Sequence, residues 1–136
     1  MLNFEFCSPT KFVFGKDTQM QVGSLVKEAG GTRALIVYGG GSVKRSGLLN
    51  QVKASLEAAG VAYCELGGVK PNPRSDLVYE GIRLCRENNL DFLLPVGGGS
   101  AIDTAKAIGV FALKINHGRQ GFCSVLDFLY LPVFYL

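Results

Sequence analysis

Asp91-Phe92-Leu93-Leu94-Pro95-Val96-Gly97-Gly98-Gly99-Ser100-Ala101-Ile102-Asp103 decides the fold. An apolar run from Asp91 to Val96 is short enough for a buried strand and is stopped by three glycines. Ser100 to Ile108 then begins a helix. Three glycines between strand and helix let the backbone approach a phosphate without Cβ clashes. A helix starting at Ser100 aims free N–H groups and its positive dipole end at that phosphate. The same letters also fit a tight turn without a ligand. Ser100 and Asp103 have the spacing of an acidic relative of the capping box, and glycine is common in such turns.

The pattern repeats upstream. Arg33-Ala34-Leu35-Ile36-Val37-Tyr38 is a second apolar run ending in Gly39-Gly40-Gly41. From Ser46 to Ala59 the apolar residues Leu48, Leu49, Val52, Leu56 and Ala59 recur at helical spacing, with Gly60 as the stop. Val61 to Leu66 reads as another strand. Ser75 to Asn89 reads as a helix with Val78, Gly81, Ile82 and Cys85 on one stripe. Strand alternating with helix predicts an α/β fold, a parallel sheet wrapped by helices. Right-handed crossovers put every strand C-terminus on one edge, so both glycine turns face one crevice, where open α/β sheets bind ligands. Ahead of this lie two short extended pieces, Phe4-Glu5-Phe6 and Lys11 to Gly15, around Ser8-Pro9. A helix follows from Thr18 to Ala29 with Val22, Leu25, Val26 and Ala29 inward.

The totals set outer bounds. The 136 residues fit one domain, and a 48% apolar share suits a globular core. A net charge of +3 with acids and bases intermixed is too mild for a nucleic-acid or anionic-membrane surface. The four cysteines, Cys7, Cys64, Cys85 and Cys123, form no C-x-x-C pair. They read as reduced thiols of a cytoplasmic protein and as small buried hydrophobes rather than nucleophiles. No signal sequence is evident at the start, and no stretch reaches the roughly 18 apolar residues of a membrane span.

Other residues carry chemistry less sharply. Gly39, Gly40, Gly41 and Ser42 form either a second nucleotide contact or a plain turn. The ordinary G-x-G-x-x-G fingerprint is not met. An acid behind that strand would favour the 2′-hydroxyl of NAD. None follows Tyr38, whereas Ser42, Lys44 and Arg45 do, a composition that favours NADP. Lys44 and Arg45 read equally as solvated charges. Asp103 fits a cofactor contact and equally a first-turn helix acid, with Lys106 placed to pair with it. His117, the one histidine, cannot assemble a metal site with its neighbours and is placed on the surface.

The two glycine clusters, their separation and the words around them resemble the iron-containing (group III) alcohol dehydrogenases. The matching pieces are Ser8-Pro9-Thr10-Lys11-Phe12-Val13-Phe14-Gly15, Tyr38-Gly39-Gly40-Gly41-Ser42, Gly68-Val69-Lys70-Pro71-Asn72-Pro73 and Gly97 to Lys106. The likeness covers residues 1 to about 110 and is nearest the branch of butanol dehydrogenases and NADPH-dependent aldehyde reductases. It implies a Rossmann-like nucleotide-binding domain with a short N-terminal extended segment. In that family a separate helical domain supplies one aspartate and three histidines to iron, sometimes zinc, which polarises the substrate oxygen. Carried over by resemblance, Gly97, Gly98, Gly99 and Ser100 match the pyrophosphate turn. Gly39, Gly40, Gly41 and Ser42 match the adenosine-ribose segment. Pro71 and Asn72 border the cofactor, and Asp103 stands near the nicotinamide side. The implied ligands are NADP, with NAD also possible, and a small alcohol or aldehyde.

After Val110 the wording departs from the family. The expected division is a partial nucleotide-binding domain over 1–110 and an apolar tail over 111–136. The tail is read as a mark of a chain cut short and offers a route to self-association. No metal ligand set and no catalytic residue is expected in this chain. It is expected to be inactive alone. The rival readings are a nucleotide-binding module without chemistry and a truncated product without function.

Overall fold

A computed structural model describes residues 11–71 and 75–113. Its centre is β1 (Arg33–Tyr38), flanked by β2 (Ala62–Leu66) and β3 (Phe92–Val96) in the order β2-β1-β3, all parallel. Arg33 pairs with Ala62 and Val37 with Leu66 on one side, and Ala34 with Phe92 and Tyr38 with Val96 on the other. β1 and β3 are buried over almost their whole length, as strands covered on both faces must be. Pro95 has no N–H to give a ladder, and β3 is an edge strand among the described residues, where that loss is tolerated. At the opposite end of the sheet the Asp91 carboxylate accepts from the Thr32 and Arg33 backbone N–H groups and from the Thr32 hydroxyl, clipping β3 to the start of β1.

Helices cover both faces. One layer holds a 3-10 turn (Thr18–Gln21), α1 (Val22–Glu28), α2 (Gly41–Arg45) and α3 (Leu48–Ala58). Its core joins Val22, Val26, Val52 and Leu56 to Ala34 and Ile36 of β1. The other layer holds α4 (Ser75–Glu87) and α5 (Gly99–Leu113), whose Ile82, Cys85, Ala105 and Ile108 meet Leu35 and Val37. Alternate residues of β1 therefore serve two cores, the period-2 signature of a strand. The predicted α/β architecture, a parallel sheet wrapped by helices, is what the chain adopts.

Some details differ. α1 buries Val22, Gly23 and Val26, while Ala29 is exposed rather than inward. The cause is the seat of α1 on α3. A Cβ on Gly23 would run into the Ser55 carbonyl oxygen, so the glycine sets the approach. Ser55 Oγ accepts from the Gly23 N–H at 3.0 Å and donates to the Met20 carbonyl at 2.7 Å. The short α2 has no counterpart in the predicted elements. Lys11–Phe14 forms no ladder among the described residues, and Phe4-Glu5-Phe6 lies outside them.

Candidate functional site

Three segments meet at the C-terminal edge of the sheet. β1 and β3 are adjacent, and their paired ends, Tyr38 and Val96, deliver both glycine turns to neighbouring places. A Cβ on Gly97 would lie 3.5 Å from Val43 of α2, so the second turn packs directly beside the first. The Val69 N–H donates to the Tyr38 carbonyl at 3.2 Å, and the Gly39 turn lies beside the Val69 carbonyl, 3.6 Å from where a Cβ would sit. That tie brings Gly68 to Pro71 to the same edge.

The glycines of the second turn are not alike. Gly97 has φ +131°, a conformation L side chains rarely adopt, so the bend needs it. Gly98 and Gly99 lie outside that region, and a Cβ at either would meet nothing within 4 Å. The fold does not require them to be glycine; close approach by a ligand would. α5 begins at Gly99, and the Gly98 carbonyl accepts from Ala101 and Ile102. The N–H groups of Gly99 and Ser100 point out of its first turn and have no acceptor among the described residues. The capping-box alternative is not built. Ser100 lies inside the helix, its carbonyl accepts from the Thr104 hydroxyl at 2.8 Å, and no Ser100–Asp103 bond forms.

Beside the first turn is a charged group that adds Glu65 and Lys53 to the Lys44 noted in the sequence. Lys44 Nζ stands 5.5 Å from the centroid of the Tyr38 ring. The Tyr38 hydroxyl donates to Glu65 Oε2 at 3.2 Å, and Lys53 pairs with Glu65 Oε1 at 2.5 Å. Arg45 folds back along its own helix, its Nη1 2.9 Å from where a Cβ on Gly41 would stand. No acid stands directly behind Tyr38 in the sequence, yet the adjacent strand supplies one. Glu65 lies 24 residues beyond Gly41 (65 − 41) and next to last in the following strand, close to where dinucleotide folds carry such an acid. That spacing was the available signal.

Ser42 and Asp103 are exposed, as is Pro71. Asp103 and Lys106 make no ion pair with one another. Asn72, His117, Cys123 and the apolar tail lie outside the described residues. Among the described residues no group of three or more His, Cys, Asp or Glu could hold a metal ion, so the residues on this edge do not fit the iron site implied by resemblance. Cys85 is buried between α4 and the sheet, and burial together with nearby Cys64 pushes its thiol up to about 11, which suits packing rather than nucleophilic attack. No helix among the described residues is long and apolar enough to cross a membrane.

The sequence is 50% identical over 108 residues to the NADH-dependent butanol dehydrogenase A of Clostridium acetobutylicum, covering 79% of this chain and 28% of the relative. It is 40% identical to the NADPH-dependent aldehyde reductase YqhD of Escherichia coli, covering 82% of this chain and 28% of that one. The chain thus spans under a third of the length of these curated relatives. The crystal structure of NADH-dependent butanol dehydrogenase A from Thermotoga maritima superposes with a TM-score of 0.78 at 41% identity, over 88% of this chain and 29% of that one. The sequence profile of the iron-containing alcohol dehydrogenases matches residues 9–128, running past Val110, and the chain belongs to that family.

Proposed function

We propose that the crevice between the two glycine turns binds a nicotinamide dinucleotide, NADP(H) in preference to NAD(H). Gly97, Gly98, Gly99 and Ser100 take the pyrophosphate. Gly39, Gly40, Gly41 and Ser42 lie along the adenosine ribose, with Pro71 and Asn72 at the border and Asp103 toward the nicotinamide. The observation that carries this reading is the open space at Gly98 and Gly99, which packing leaves unexplained. Outward N–H groups on the first turn of a 15-residue helix support it. The names of the relatives support a dinucleotide of either kind, since they cite both NADH and NADPH.

In a complete member of the family this region serves the oxidation of a small alcohol or the reduction of an aldehyde. Residues 1–110 act as the nucleotide-binding portion, and α5 carries on past that boundary to Leu113. This chain by itself binds without turnover, because its described residues provide no metal-ligand group.

The test is calorimetric titration of the full chain with NADPH and NADH. Micromolar NADPH binding is expected, roughly −8 kcal/mol. Gly98→Leu should abolish it with the circular dichroism spectrum unchanged. A folded chain that binds neither nucleotide would refute the reading.

A further inference from the structure

NADP carries a phosphate on the adenosine ribose where NAD has a hydroxyl, so a site that separates them needs either a placed cation or a free carboxylate. Both kinds of group stand around Tyr38, but only one is available. Glu65 is committed at both oxygens, to the Tyr38 hydroxyl at 3.2 Å and to Lys53 at 2.5 Å. Its side chain is one-third exposed and that of Lys53 one-quarter, so water screens the pair less than it would on an open surface. Tyr38 cannot swing away. It is 5% exposed, and its ring packs so closely on Gly67 that a Cβ there would lie 2.8 Å from it.

Lys44 is in the opposite situation. It is exposed, rests over the face of that fixed ring, and has no acidic partner among the described residues. It follows Ser42 by two residues, on the short helix that leaves the first glycine turn. Arg45 is turned back on Gly41, leaving Lys44 as the cation presented on the tyrosine platform.

We propose that Lys44, held over the Tyr38 ring, is the residue that selects NADP(H), while the Lys53–Glu65–Tyr38 chain keeps the Glu65 carboxylate from reading a ribose 2′-hydroxyl. The inference rests on the dinucleotide reading above. Lys44 binds the 2′-phosphate as a point charge, and the neutralised Glu65 does not repel it.

The experiment is titration of the full chain and its variants with NADPH and NADH. Lys44→Met keeps the aliphatic stem and removes the charge. It should weaken NADPH by about 10-fold or more and leave NADH within about 2-fold. Lys44→Arg should restore most of the NADPH affinity. Glu65→Gln should leave NADH within about 2-fold. Equal weakening of both nucleotides by Lys44→Met would place Lys44 on a part they share and overturn the proposal, as would no change. A roughly 10-fold loss of NADH in Glu65→Gln would make Glu65 the hydroxyl reader and overturn it too. A wild-type chain that binds both nucleotides equally overturns the selectivity while leaving the dinucleotide reading intact. A folded chain that binds neither removes both.

Discussion

Single glycines divide by what holds them in place. Gly23 is fixed by a neighbour's backbone and Gly97 by its own φ, whereas Gly99 is held by neither. Gly99 opens α5 with an exposed surface and space where a Cβ would go. Gly99→Ala should therefore raise stability by about 0.4–1 kcal/mol, through lower unfolded-state entropy. It should also weaken dinucleotide binding. Denaturant melts and titration of one variant would check both signs, and a variant that gains stability with binding intact would sever the turn from the ligand. The sequence marks all these positions with the same letter. Which glycine serves the bend, which serves packing and which serves neither depends on neighbours 30 or more residues away, as with Gly23 and Ser55.

At the scale of elements, α1 and α3 are joined by one polar clasp in an otherwise apolar layer. Ser55 is buried, and its hydroxyl both accepts from Gly23 and donates to Met20. Ser55→Ala should cost about 1–3 kcal/mol, since the Gly23 N–H and Met20 carbonyl lose their partner. A urea midpoint unmoved by the change would show that water replaces the hydroxyl. Periodicity found the larger helices because their apolar residues repeat every turn, as in α3 with Leu48, Leu49, Val52 and Leu56. It could not find α2. Five residues with one buried apolar side chain, Val43, give no period to read, and Val43 is buried against the neighbouring glycine turn. Glu65 was overlooked for a related reason: it lies in β2, and only strand pairing sets it beside Tyr38.

Over the whole molecule, two apolar cores flank the sheet, one against each face. Cys85 sits in the α4–α5 core, and its thiol is raised from 9.0 to about 11. The unfolded chain thus releases this proton first as pH rises. The stability contribution is full below pH 9.0 and is lost as pH climbs through about 11. The Tyr63 hydroxyl, which donates to Glu57 at 2.6 Å, is pushed up to about 12 mainly by that bond and titrates nearby. Urea midpoints of wild type and Cys85→Ala, compared across this window, isolate the thiol. The wild type should lose its margin over the variant, and parallel curves would show that the thiol titrates alike in the folded and unfolded chain, so that burial does not raise it. For activity, the chain supplied with Fe2+, NADPH and a short aldehyde should give no turnover above the metal alone. Metal-dependent turnover by this polypeptide would overturn that expectation.

The sequence by itself determined the alternation of strand and helix, the parallel sheet, the glycine turns after Tyr38 and Val96, and the family resemblance. Each is written locally, in apolar periods of two and 3.6 residues and in the places where they stop. The tertiary structure alone decided that the two turns pack together through Val43, that the Ser100–Asp103 cap is not formed, and that Glu65 is bound by Lys53 and Tyr38 while Lys44 rests over the Tyr38 ring with no acidic partner among the described residues. Those outcomes depend on strand order and on contacts between distant segments, which no local spacing encodes.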